Sequence, residues 1–187
     1  MTRPIIVGVG MSKFGRQPDS TLKSLAGGAA AAALADAGME RGEIECVFAA
    51  NVGAGLITGQ EGIRGQVSLK EIGLGGMPLF NVENACASGS SAVHLAAKYL
   101  ASGAAQTALV VGYEKMSAPD KSLAFKAIDA CGDVEEIAAI KNSLGPEGAG
   151  RSVFMDFYAR KVRKYLAESG ATKRHLAAVA AKNHCNG

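Results

Sequence analysis

The sequence predicts an α/β domain with a mostly parallel sheet. Short apolar or β-branched runs alternate with longer stretches of helical spacing from residue 5 to residue 116. Glycines stand at the ends of those stretches, where helices stop. After Ser117 the character changes, because residues 117–150 mix Pro119, Gly132, Gly145, Pro146, Gly148 and Gly150 with short helical pieces. Such a passage reads as a lobe or long insertion, the kind of excursion that forms lids and binding loops. The organisation expected is therefore an α/β portion over residues 1–116, then a lobe and its following helices over 117–187.

Taken in order, residues 5–9 (Ile, Ile, Val, Gly, Val) are a β-branched run and predict a buried strand. Asp19 and Ser20 offer a cap for a helix over 21–37, which Gly38 ends. Residues 43–50 read as a second strand, 51–55 as a turn, and 61–72 as a helix closed by Gly73. A strand over 78–84 delivers Cys86, a helix over 88–102 ends at Gly103, and 108–112 is a short apolar strand. Two more helices, 154–169 and 173–184, meet at Gly170. No internal repeat is evident. The chain stops in turn-forming residues directly after a helix, which reads as an interruption of a longer protein.

Composition excludes several functions. The net charge of +3, from 20 basic and 17 acidic residues, is mild, and no basic block of the kind that tracks nucleic acid occurs. The densest cluster, Arg160-Lys161-Val162-Arg163-Lys164, reads either as the wet face of a helix or as a contact for the phosphates of a nucleotide-bearing substrate. The four cysteines, at 46, 86, 131 and 185, form no CxxC pair, and the three histidines (94, 175, 184) have no ligand spacing. Neither a metal site nor a disulfide framework is expected. The first apolar run is too short for a signal peptide, and no stretch is long enough to span a bilayer. These features predict a soluble, cytoplasmic protein.

The stretch Asn84-Ala85-Cys86-Ala87-Ser88-Gly89 is the most informative. It places one thiol between a strand and a helix, where unpaired N–H groups and the positive end of the helix dipole favour a thiolate. The small neighbours leave room for a bulky substrate, so the arrangement suits covalent acyl transfer. The alternative is a small buried hydrophobe, the commoner fate of a free cysteine. No base is evident in the sequence. His94 lies eight positions along the same helix, about 12 Å from Cys86, which is beyond hydrogen-bond reach. Gly8-Val9-Gly10 hints at a dinucleotide fingerprint, but Lys13 stands where the third glycine is required.

The chain resembles the thiolase superfamily, above all sterol-carrier-protein-x-type thiolases and acetyl-CoA acetyltransferase-like relatives. The resemblance is carried by residues 6–15 (Ile-Val-Gly-Val-Gly-Met-Ser-Lys-Phe-Gly), by the segment around Cys86, by Val110-Val111-Gly112-Tyr113-Glu114-Lys115-Met116, and by Lys182-Asn183-His184-Cys185-Asn186-Gly187. It implies a thiolase-like layered fold: two βαβαβαββ halves in a five-layered αβαβα body, with a loop lobe inserted after the first half. This chain corresponds to the first half plus the lobe. The resemblance makes Cys86 the acyl-accepting nucleophile and coenzyme A the co-substrate, with no covalently bound cofactor. It implies thiolysis of a 3-ketoacyl-CoA or the reverse Claisen condensation.

The resemblance also places the activating histidines and a second acid/base group on the second half, whose Gly-His-Pro and Cys-Gly-Gly motifs this sequence lacks. Little turnover is expected from the chain alone. Residues 154–164 are candidates for contacting CoA, and Met116 for lining an acyl pocket; a wet amphipathic helix and core packing are the alternatives. A first half would expose an apolar face, so a homodimer or a partner chain supplying the second half is expected. Two other readings stand beside the acyltransferase: a non-catalytic or split subunit that binds acyl-CoA or lipid, and a retro-aldolase or other condensing enzyme on the same fold.

Overall fold

The computed structural model describes residues 3–148 and 152–186. Gly150 of the lobe and Gly187 of the final motif lie outside the described residues. Two compact units are formed, Met1–Cys131 and Gly132–Gly187.

The first unit is built on a three-stranded parallel sheet. Its strands are β1 (Cys46–Ala50), β2 (Leu79–Val82) and β3 (Ala108–Gly112), in the order β2-β1-β3. Phe48 pairs with Phe80 on one side and Val110 on the other. Every residue of β1 is buried, because helices cover both faces of the central strand. Alternate side chains feed two cores. Val47 and Ala49 join Leu22, Ala26, Ala30 and Leu34 of α1 (Leu22–Ala37) and Leu69 of α3 (Arg64–Leu69). Cys46, Phe48 and Ala50 join Ala92 and Ala96 of α4 (Ser88–Ala101). The alanines let these helices approach closely, and Phe48, Phe80 and Tyr99 supply the one aromatic cluster of the second core, with centroids 4.9–5.8 Å apart. The layered α/β expectation therefore holds.

Helix boundaries follow local chemistry. Thr21, rather than Asp19 or Ser20, caps α1: its hydroxyl accepts the Ser24 N–H at 3.1 Å while the Ser24 hydroxyl accepts the Thr21 N–H. Gly38, at φ 64°, ends it. The turn expected over 51–55 instead runs into a short helix, α2 (Ala54–Thr58). The helix expected over 61–72 is shorter, because Ile63 takes a left-handed conformation (φ 44°) and α3 starts only after it. A helix α5 (Lys121–Asp129) belongs to the first unit, with its buried Ala127 against Gly53.

The first run corrects the sequence reading. Residues 5–9 form no strand, and Ile5 and Ile6 are 79% and 81% exposed. The segment lies along α1, where the Val9 N–H donates to Asp36 Oδ2 at 2.9 Å. Any Cβ on Gly8 would meet the Ala33 carbonyl oxygen at 2.5 Å, and one on Gly10 would collide with the backbone of Ala29 and Ala33. Two glycines thus let bare backbone sit on the helix. β-Branched residues favour a strand only where a pleated neighbour receives them, and no described residue pairs with this one.

In the second unit, α6 (Val134–Ser143) is capped by Asp133, whose carboxyl accepts the Glu135 and Glu136 N–H groups. Ser152 caps α7 (Val153–Ser169), and α8 (Lys173–Asn186) follows Gly170. The basic cluster 160–164 is exposed on α7. Lys161 stands 5.1 Å above the Phe157 ring, and Lys164 makes a 3.8 Å exposed pair with Glu168 that contributes little to stability. No helix among the described residues is long and apolar enough to cross a membrane.

Candidate functional site

The carboxyl ends of parallel strands are where an α/β sheet offers its loops to a ligand. Here β2 runs out at Val82 into Glu83 and Asn84, then into a single 3-10 turn (Ala85–Ala87) that opens directly into α4. Cys86 is the middle residue of that turn and is exposed. Ala85, immediately before it, is at φ 44°, a conformation a side chain adopts only at a cost of roughly 1–3 kcal/mol. Four side chains hold the turn there. The Asn84 N–H donates to Ser88 Oγ at 2.8 Å, and the same hydroxyl donates to the Ala85 carbonyl at 2.8 Å. The Ala85 N–H donates to Glu83 Oε1 at 2.6 Å, and Asn84 Nδ2 to Ser91 Oγ at 2.9 Å. Ser88 is 5% exposed, so both of its bonds are shielded from water. Strand, strained turn and helix present one thiol to solvent in a fixed direction.

Beside the head of α4 lies a cavity of about 290 Å³. It is lined by Ala50 to Val52 at the end of β1, Ser88 and Gly89 at the head of α4, and Gly112 to Glu114 at the end of β3. The ends of β1 and β3 therefore meet the head of α4, the helix that the Cys86 turn opens into. Residues 4–187 match the family model of the thiolase N-terminal domain.

The chain belongs to the thiolase family.

Similar proteins include non-specific lipid-transfer protein-like 2 of Caenorhabditis elegans, 32% identical over 184 residues, which make up 96% of this chain and 43% of that protein. An acetyl-CoA acetyltransferase of Methanocaldococcus jannaschii is 34% identical over 171 residues, 91% of this chain and 40% of the relative. Benzoylsuccinyl-CoA thiolase subunit BbsB of Thauera aromatica is 33% identical over 181 residues, 95% and 42% of the two chains. The chain thus spans about two fifths of the length of these curated relatives.

Within this thiolase-family domain the other candidates are placed as follows. The Met116 sulfur lies 3.4 Å from where a Cβ on Gly53 would stand, and the residue is 37% exposed. His94 is exposed on α4, eight residues beyond Cys86. In the second unit, His175 Nδ1 accepts the Thr172 N–H at 2.9 Å, and His184 Nδ1 lies 2.9 Å from the Ala180 carbonyl oxygen. Residues 154–164 belong to that unit as well. Among the described residues no cluster of three or more His, Cys, Asp or Glu is arranged to hold a metal ion.

Sequence reasoning missed three groups near the cavity. Glu114 and Asn51 join the ends of β3 and β1 through side-chain bonds. Asn51 is 5% exposed; a buried amide needs partners, which here are the Tyr113 and Glu114 oxygens, the Ala54 N–H and Arg64. Cys131, half-buried after α5, is the third. Burial pushes its thiol up, and the charges of Cys86, Glu83 and Glu114 push it the same way, which puts it in the electrostatic neighbourhood of the Cys86 turn. Tyr113 is held up chiefly by burial, with Ser68 and Arg64 pulling it down and Glu114 adding to the rise. Its hydroxyl is buried without a hydrogen-bond partner in good geometry, although Ser68 is close enough to act on it. Only the Val-Gly-Tyr-Glu motif signalled any of these in the sequence.

Proposed function

We propose that this chain carries the nucleophile of an acyl-CoA C-acyltransferase, with Cys86 as the residue that accepts the acyl group and coenzyme A as co-substrate. The observation that supports this most is the exposed thiol on a strained, multiply bonded turn between β2 and α4. Strain of this kind persists where the surrounding structure over-determines it, and such places are often functional. The Methanocaldococcus jannaschii relative, named an acetyl-CoA acetyltransferase, agrees with acyl transfer. In the thiolysis direction the Cys86 sulfur attacks the keto carbon of a 3-ketoacyl-CoA. The bond between the α and β carbons breaks, the departing acetyl-CoA carbanion takes a proton, and the acyl group stays on sulfur until a second CoA thiol removes it. Retaining a thiol at this position favours covalent transfer over an aldolase route that does not need one.

The described residues place no histidine beside the thiol within the first unit, since His94 is eight residues along α4. The base and the remaining oxyanion donors are accordingly assigned to a second half, in the same polypeptide or in a partner chain. Support for a covered assembly comes from the sheet itself. Both β2 and β3 are edge strands, and Phe80, Val93 and Leu95 around them are exposed. The Thauera aromatica relative is named as a subunit. A homodimer or a complex with such a partner covers these surfaces, and a well-behaved monomer in sedimentation would count against it.

Consumption of acetoacetyl-CoA in the presence of CoA tests the reading. The 187-residue chain alone should turn over slowly or not at all, and a protein that supplies the second half should restore the rate in a Cys86-dependent manner. Turnover that survives Cys86→Ala would contradict the assignment.

A further inference from the structure

The cavity at the strand ends is bordered by Ser88 and Gly89, two and three residues beyond Cys86, and by the loop that follows β1, whose position is set by side chains from neighbouring elements. Glu114 stands directly after Tyr113 at the end of β3 and is half-buried. Its Oε2 accepts the backbone N–H groups of Val52 and Gly53, both at 2.9 Å, and its Oε1 accepts Asn51 Nδ2 at 3.2 Å. Three successive residues of the loop are thereby tied to the neighbouring strand. From the other side, Arg64 Nη1 donates to the Val52 carbonyl at 2.9 Å. Loop residues 51 and 52 line the cavity together with Glu114, Ser88 and Gly89, and Ser88 is the residue whose hydroxyl pins the Cys86 turn. A Cβ on Gly53 would stand 3.5 Å from Glu114 Oε1 and 3.4 Å from both Ala127 and the Met116 sulfur, so the carboxyl also packs where α5 reaches the loop.

We propose that Glu114 is a positioning residue for acyl transfer: it holds loop 51–53, whose residues 51 and 52 border the same cavity as the head of α4, and so fixes where an acyl thioester rests relative to the sulfur. This rests on the acyltransferase reading above. Glu114 need not touch the substrate. A displacement of the loop by about 1 Å is enough to cost on the order of 100-fold in rate, because transfer requires a near-attack geometry. The chemical reactivity of the exposed thiol toward a small reagent does not depend on that loop.

The two variants separate the roles. Glu114→Ala removes all three acceptor bonds. Glu114→Gln keeps one carbonyl oxygen able to accept both the Val52 and Gly53 N–H groups, and loses only the longest bond, the one to Asn51. Three measurements on the full chain are compared: acetylation of Cys86 by acetyl-CoA, followed by intact mass; alkylation of Cys86 by iodoacetamide; and hydrogen exchange at the Val52 and Gly53 amides. The expected result for Glu114→Ala is acetylation slower by about 100-fold, alkylation little changed, and faster exchange at both amides. Glu114→Gln should recover most of the acetylation rate and the slow exchange.

The proposal is overturned if Glu114→Ala lowers acetylation and alkylation in parallel, or if Glu114→Gln is as slow as Glu114→Ala. It is equally overturned if exchange at the two amides is the same in all three proteins. A wild-type chain that takes no acetyl group even with a second-half protein present contradicts the acyltransferase reading instead. The tether is then judged by exchange alone, with slow exchange in wild type and Glu114→Gln against fast exchange in Glu114→Ala supporting it.

Discussion

Two apolar runs near the start of this chain have opposite fates. Residues 5–9 carry four β-branched side chains and read as the stronger strand, yet they lie exposed along α1. Residues 79–82 carry only one, yet they form β2 and deliver Cys86. The difference lies in what each run meets. Residues 79–82 pair with β1 across four positions, Leu79 to Val82, and Phe80 stacks on Phe48 at 4.9 Å. Residues 5–9 meet a helix instead, and Gly8 and Gly10 fit them to it by removing the side chains that would keep backbone from backbone. Strand formation is decided by the partner, and intrinsic preference is secondary to it.

The largest effect that sharpens this contrast is in the core. Phe48→Ala should cost about 3–5 kcal/mol in denaturant unfolding, because it opens a cavity under the aromatic cluster, whereas Ile6→Ala should stay within about 0.5 kcal/mol. Comparable losses at both sites would mean that residues 5–9 are packed after all. Next comes the strained turn. Ala85→Val places a β-branched residue at φ 44° and should destabilise by roughly 1–3 kcal/mol, while slowing acetylation of Cys86; a neutral variant would show that the turn relaxes freely.

Smaller is Gly10→Ala, whose Cβ has no room against Ala33. The segment should lift from α1 at a global cost under about 1 kcal/mol, and trypsin should cut faster at Lys13 and Arg16. Unchanged cleavage would argue that the segment is not seated on the helix. The smallest effect is in titration. Cys131 holds its proton more tightly when folded, above its ordinary value of 9.0, first through burial and then through the neighbouring negative charges. Its stabilising contribution is therefore complete below the ordinary thiol range and is lost as pH rises through the raised value. In alkylation against pH, Cys131 should reach half-maximal rate at higher pH in the native chain than after unfolding; coincident curves would contradict its burial and its negative neighbours alike.

The sheet, its helices and the place of Cys86 were legible because each is spelled locally, by apolar runs, glycine stops and a cysteine set among small residues. Residues 108–112 were read with the bounds they have in the structure. What was not legible depends on encounters between distant residues. Glu114 acts 61 and 62 positions away, on Gly53 and Val52. The strain at Ala85 is invisible in an alanine, and the short helix after Gly53 hides in a glycine-rich turn. The failure at residues 5–9 is of the same kind, since nothing in that run states which surface will receive it.

The account stands or falls on Cys86. Intact-mass measurement of the chain after incubation with acetyl-CoA, with Cys86→Ala alongside, tests it directly. One added acetyl group that maps to Cys86 and is absent from the variant is the predicted result. An adduct that persists in the variant, or none on the native chain even with a second-half protein present, would contradict it.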